Sequence, residues 1–505
     1  MLRFCAAALA LCAAFAGEAH AALAITYGRT TNLRCSGGVC TATAPDATFG
    51  IKDIQKRLAY GNLTVVADSL AADIVVAAPF HWASAHSLEL FAAHDIRIDK
   101  TVDVAGTGGV MLTSNDGRTD GTLSFGPDGN VHFWATTNAL TINYAPYALV
   151  NSLPALIGAV AAHPANRYAL ANDWDAAAHG TYASVPITPS FGGAFDGLGH
   201  AIKHFRVRPA NGKPAGLFAL VNAQGSVSNL KLPAMRLWAR YGANAGAIAV
   251  QNQGLLAGDT VQGVVSGSGS TVGGIAGLNT GTVLDCHADL QVTINGGQIG
   301  GVVGGNLTGG LIDRSSAKGA LSGTNAVIAG GLAANNAATI SRSWSSASVA
   351  IGNATGHSEP AAGGLVGDNW DQHAGATIVN SYATGSATGG VNTRVGGLTG
   401  SARYNGTISA VYSTGAVGGS TLVGGLTGEL DSEGLSFASS YWNLDTSGVS
   451  NPARGAGNVA NAPGITGLTD AALKSALPSG FDPSVWGQDA GINGGLPYLL
   501  RNLPN

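Results

Sequence analysis

The chain has 505 residues, of which 45% are hydrophobic and only 11% charged, with 75 glycines and a net charge of −4. Glycine follows no strict third-residue period, which excludes collagen, and Val, Ile and Leu run through every segment, which excludes low-complexity disorder. The balance of charge offers no basic footprint for a nucleic-acid partner.

The chain opens "MLRFCAAALALCAAFAGEAHAALA". Arg3 forms a short positive region, Phe4 to Phe15 an apolar one, and Ala19-His20-Ala21 a small-x-small cleavage site. This predicts a secretory signal cut after Ala21 (domain 1–21) and an exported mature chain. No later run reaches the roughly twenty apolar residues of a spanning helix, so no transmembrane segment is expected in the mature chain. Cys5 and Cys12 leave with the signal. In "CSGGVC", Cys35 and Cys40 flank a glycine turn and are predicted to close a structural disulfide in an oxidising compartment. Cys286, in "VLDCHADL", is predicted to be a buried, inert thiol, because Cys286 and His287 alone make a weak metal site.

Residues 22–150 alternate apolar and polar positions over short runs, as coil-forming strands do. Within the joint at 151–191, Ser152 caps a predicted helix from Leu153 to Ala162, with Pro164 just beyond. From 192 to 443 one phrase recurs: "AGLFAL", "AGAIAVQN", "VGGIAGLNTGTV", "IGGVVGGNLTGGLI", "AGGLAANNAATI", "AGGLVGDN", "VGGLTGSARYNGTI" and "VGGLTGEL". Its anchor glycines are Gly216, Gly246, Gly274, Gly301, Gly331, Gly364, Gly397 and Gly425, spaced 27 to 33 residues apart. Second halves of the unit align Trp344, Tyr382 and Tyr412, with Tyr441 following, as an expected aromatic ladder. Each unit holds two or three short β-prone runs, too few for a propeller blade, and none has a helical period. One unit cannot bury its own apolar face; stacking units about 4.8 Å apart does so and pairs every backbone group. The predicted fold is therefore all-β, a parallel β-helix (β-solenoid) with one short interrupting helix. The glycines are expected where the chain turns with positive φ or passes close to a neighbouring coil. Residues 444–505 read as a loop and a capping segment, in which Thr469 caps a short helix to about Ala476.

On these residues the repeats resemble the GLUG motif of secreted bacterial proteins, over roughly Gly192 to Trp442. "GGAFDGLGHAIKHFRV", with Phe195, Asp196, Gly197, Gly199 and His200, looks like the opening unit of such arrays. The upstream region resembles filamentous-haemagglutinin-type adhesins, through Ile74, Trp82, Leu88, Leu90, Ala92, Ile96 and Ile98. The usual amino-terminal secretion module of two-partner-secreted haemagglutinins is not evident. The resemblance implies a secreted or cell-surface adhesin-like protein, with an extracellular polysaccharide, matrix or host surface as partner and an outer-membrane export partner.

Chemistry is sparse. "GDNWDQH" is the one locally polar, aromatic insertion, and Asp368, Trp370, Asp371 and His373 are the candidate ligand residues, in an expected loop from Gly367 to Gly375. No phosphate loop, nucleophile elbow, zinc-protease helix or calcium nonapeptide repeat occurs, so no catalytic residue, metal or cofactor is expected. The rival is a polysaccharide lyase or hydrolase on the same scaffold, which needs carboxylates converging in a groove, such as Asp285, Asp289 and Asp313 from successive coils. A passive extracellular spacer is the third reading.

Overall fold

The structure, a computed structural model, describes residues 21–115, 121–353, 360–419, 421–431 and 434–504. The predicted signal, residues 1–21, lies outside them but for its last residue, Ala21. The chain winds into a parallel β-solenoid of about 14 turns. In the repeat region, successive turns pair in parallel and in register: Ala276 lies on Val303, Asn279 on Asn306, Thr282 on Leu311 and His287 on Ser316.

That register explains the sequence repeat. Leu256, Val283, Ile312, Ile340, Ile378 and Ile408 stack into one interior column, and all are fully buried. Each such side chain contributes roughly 1.5–3 kcal/mol by leaving water, and no single turn can enclose it alone.

The anchor glycines divide into two columns. Gly273 stacks on Gly300 and then on Gly330, while Gly274, one residue on, heads a second column with Gly301 and Gly331. Gly246 belongs to the first column and not, as its phrase suggests, to the second. None of these glycines has positive φ. Their reason is close approach: a Cβ on Gly331 would sit 2.1 Å from the Gly364 carbonyl oxygen. The left-handed corner lies elsewhere in the unit. Asn229, Gly258, Asp285, Arg314, Arg342, Asn380, Ala410 and Ser439 occupy it turn after turn, with φ between 44° and 68°. Glycine is the exception there.

Both ends of the stack are covered. A helix that the sequence reading did not anticipate, α1 (Ile51–Tyr60), lays Ile54 and Leu58 on the first turns and keeps its charged residues outward. At the joint, an antiparallel hairpin (Leu140–Ile142 with Ala145–Val150) leads into α2 (Leu153–Ala162), capped by Ser152 as expected. Parallel stacking resumes at once, Ala148 on Tyr168, so one axis runs through both halves. Residues 454–468 complete a last turn, Ser440 pairing with Ile465, and α3 (Asp470–Ser475) follows with Thr469 as its cap.

The remaining tail does not only close the open end. It turns back along the outside of the solenoid and packs Phe481, Trp486 and Leu499 against Trp344, Tyr382, Tyr412 and Tyr441. Those aromatics do stack, Tyr382 on Tyr412 with ring centres 4.9 Å apart and planes 4° from parallel. Their column faces outward, so it needs a cover that its own turns cannot supply.

Candidate functional site

The predicted ligand loop is a strand. Val366–Ala383 runs without a break, and only the stretch between Asp371 and Ala376 bulges relative to the next turn. Asp368 is buried and ion-paired to Arg403 of the following turn. Burial pushes its carboxyl up, and Arg403 offsets part of that. Asp371 is also buried, whereas Trp370 is 38% exposed and meets Tyr404 edge-to-face at 6.4 Å. The side chain of His373 lies outside the described ones. The polar string looked like a loop because its partners, Arg403 and the neighbouring asparagines, are one turn away in space.

Asp285, Asp289 and Asp313 form no converging set. Arg314 binds Asp285 through two 2.8 Å contacts, and Arg342 and Ser341 hold Asp313 at 2.9 and 2.6 Å. Asp289 lies beside Lys318 in register. A carboxylate fixed bidentately to a guanidinium is a poor general base.

Cys35 and Cys40 form the expected disulfide, across a hairpin whose Gly37 and Gly38 both adopt positive φ. Cys286 is a buried free thiol, its pKa driven up by burial. His287 bonds Ser316 Oγ at 2.8 Å, and burial pushes its pKa down. Among the described residues, Asp73, His94 and Asp95 are close enough to share a cation. His94 Nδ1 already contacts Asp73 at 2.8 Å, and Asp95 accepts from Thr122.

Two features escaped the sequence reading. The first is an asparagine ladder. Asn252, Asn279, Asn306, Asn336 and Asn369 are buried, and each Nδ2 donates to the next Oδ1 at 2.7–2.8 Å. Its signal was present, since an Asn stands at the eighth position of each of the five repeat phrases concerned. The second is a recess of about 590 Å³ between the solenoid flank and the returning tail. Lys318, Trp344, Ser346, Tyr382 and Thr384 line one side, and Ile492, Asn493 and Pro504 the other. The Lys318 ammonium sits 5.6 Å from the Trp344 ring centre, and the Tyr382 hydroxyl makes no hydrogen bond among the described residues. Among the described residues no Asp or Glu lines the recess.

No protein-family model matches the chain, and no curated protein matches it. Among solved structures it is similar to an IgA1 protease, with 22% identity and a TM-score of 0.38 over 52% of this chain. The match spans 21% of that protein. At that distance it carries no argument about activity.

Proposed function

We propose that the protein is a secreted or cell-surface adhesin-like β-solenoid, exported with loss of residues 1–21, that binds an extracellular surface through its repetitive walls. One observation supports this above others. Asp285, Asp313 and Asp368 are each tied to an arginine of the next turn, and the amides of the ladder to one another, leaving long, weakly charged faces. Such faces bind by many shallow contacts that multivalency adds together. No helix among the described residues is long and apolar enough to cross a membrane.

Purified protein incubated with a panel of immobilised polysaccharides, scored for retention and for new reducing ends, tests the reading. Retention without cleavage is expected. New reducing ends would establish the lyase or hydrolase instead, and neither signal would leave a spacer.

A further inference from the structure

Net charge averaged over the chain hides a local imbalance. Between Asp196 and Asp259 there is no aspartate or glutamate, while seven lysines and arginines fall in the same stretch. Three of these are engaged by other groups. Lys203 pairs with Asp173 at 2.8 Å, Lys231 is held by the carbonyls of Gly126 and Pro127, and Arg240 donates to Pro209 O at 2.9 Å. Arg206, Arg208, Arg236 and Lys213 are exposed and have no carboxylate partner among the described residues.

The fold arranges three of them as a lattice. Arg206 lies on Arg236 in register and Val207 on Leu237, so Arg208 stands above Trp238. Neighbouring turns are about 4.8 Å apart, and alternate residues on one strand about 6.6 Å apart. The guanidinium carbons of Arg208 and Arg236 lie 5.6 and 5.7 Å from the Trp238 ring centre. Stacking on an indole fixes a guanidinium's plane yet leaves its N–H fork available to an oxyanion. Tyr241, three residues on from Trp238 in the turn that follows the strand, is 73% exposed and offers an aromatic surface on which a sugar ring can rest.

We propose that this patch binds a polyuronate, a polysaccharide bearing one carboxylate per ring. Arg206 and Arg236 on neighbouring turns, with Arg208 beside them, present several guanidinium forks within reach of one flexible chain that carries a carboxylate on every ring. Planar bidentate pairing favours arginine, which supplies three of the four unpaired cations. A single-stranded nucleic acid fits less well, because the guanidiniums already cover Trp238 and stacking platforms are what such strands require. The inference rests on the adhesive reading and names the ligand class for it.

The test is binding of polygalacturonate, with neutral dextran and an oligothymidylate as competitors, at two salt concentrations. The variant R206Q/R208Q/R236Q is compared with K52Q/K56Q/R57Q, which makes the same charge change on α1. Expected are at least tenfold weaker polygalacturonate binding and a shallower salt dependence for the first variant only, with both variants melting as wild type does. Absent binding by the wild type, equal loss in both variants, or preference for the oligothymidylate overturns the proposal. Retention of the wild type on other glycans without polygalacturonate binding would sink this inference alone. Absence of all retention would sink the adhesive reading too.

Discussion

At the scale of single residues, the buried polar groups set the stability of the stack. Asn306 donates to Asn336 Oδ1 and accepts from Asn279 Nδ2, both at 2.8 Å, so it belongs to two ladder bonds. Replacing it by alanine takes those ladder partners from Asn279 Nδ2 and Asn336 Oδ1, which keep only the carbonyls of Gly281 and Leu311 and a 3.4 Å contact from Ala338 N, and each lost bond costs about 1 kcal/mol. Asn306→Ala is therefore expected to lower the urea midpoint about twice as far as Asn252→Ala, which breaks a single ladder bond at the ladder's first position. Equal midpoints for the two variants would show that the ladder is not a connected unit. Asp196 provides the pH dependence. It is buried, accepts from Leu198 N and Asn229 Nδ2, and burial pushes its carboxyl up from 3.8 to about 6. The folded state then holds this proton more tightly than the unfolded chain does. Its penalty is fully present above pH 6 and is relieved as pH falls from 6 towards 4. Asp196→Asn should stabilise the protein at pH 8 by up to ~3 kcal/mol and by almost nothing at pH 4; denaturant melts at the two pH values check this. A gain that is the same at both would assign the effect to packing.

At the scale of elements, the returning tail is the least expected part. Trp344 Nε1 donates to Asn502, Tyr412 Oη to Pro497 O and Tyr441 Oη to Ser479 O, and Asn502 Nδ2 reaches back to Ser315 O. It thus braces five successive turns, about 19 Å along the axis. A chain ended after Ser475 should keep its parallel register but expose the stacked Trp344, Tyr382, Tyr412 and Tyr441 as an apolar stripe. Expected are an unchanged strand signal in circular dichroism, strong binding of a hydrophobic dye and self-association on gel filtration. A truncated chain that stays monomeric and dye-silent would show that the tail is ornamental. The elements also show how far the sequence could be read. Helix α2 and its Ser152 cap were legible to the residue, because capping is local chemistry. Helix α1 was missed although Ile51, Ile54 and Leu58 have helical spacing, since so short a run gains its stability from the turn beneath it. The anchor glycines were legible as positions that exclude a side chain, but their phrase could tell neither close approach from a positive-φ corner nor one column from its neighbour. Asp368 could not be placed at all without knowing that Arg403 lies across from it.

At the scale of the whole molecule, the stack is close to a one-dimensional array in which each turn interacts with its two neighbours. Translational equivalence is then a physical claim about every turn, and removing one turn tests it. Thr282 lies directly on Leu311, so deletion of Thr282–Gly310 excises one complete turn and sets Asn279 over Asn336, reconnecting the asparagine ladder. The Asp285–Arg314 pair is lost, but the interior column closes from Leu256 to Ile312. That deletion is expected to fold cooperatively, with a denaturant slope reduced in proportion to the surface removed. Deleting one residue more, Thr282–Leu311, moves the next strand by one position and turns its inward side chains out. This second variant should be insoluble or molten. If both deletions fold equally well, register is not what holds the walls together; if neither folds, the turns are not interchangeable, since the brace of the tail across Ser315 and Trp344 is retained in both.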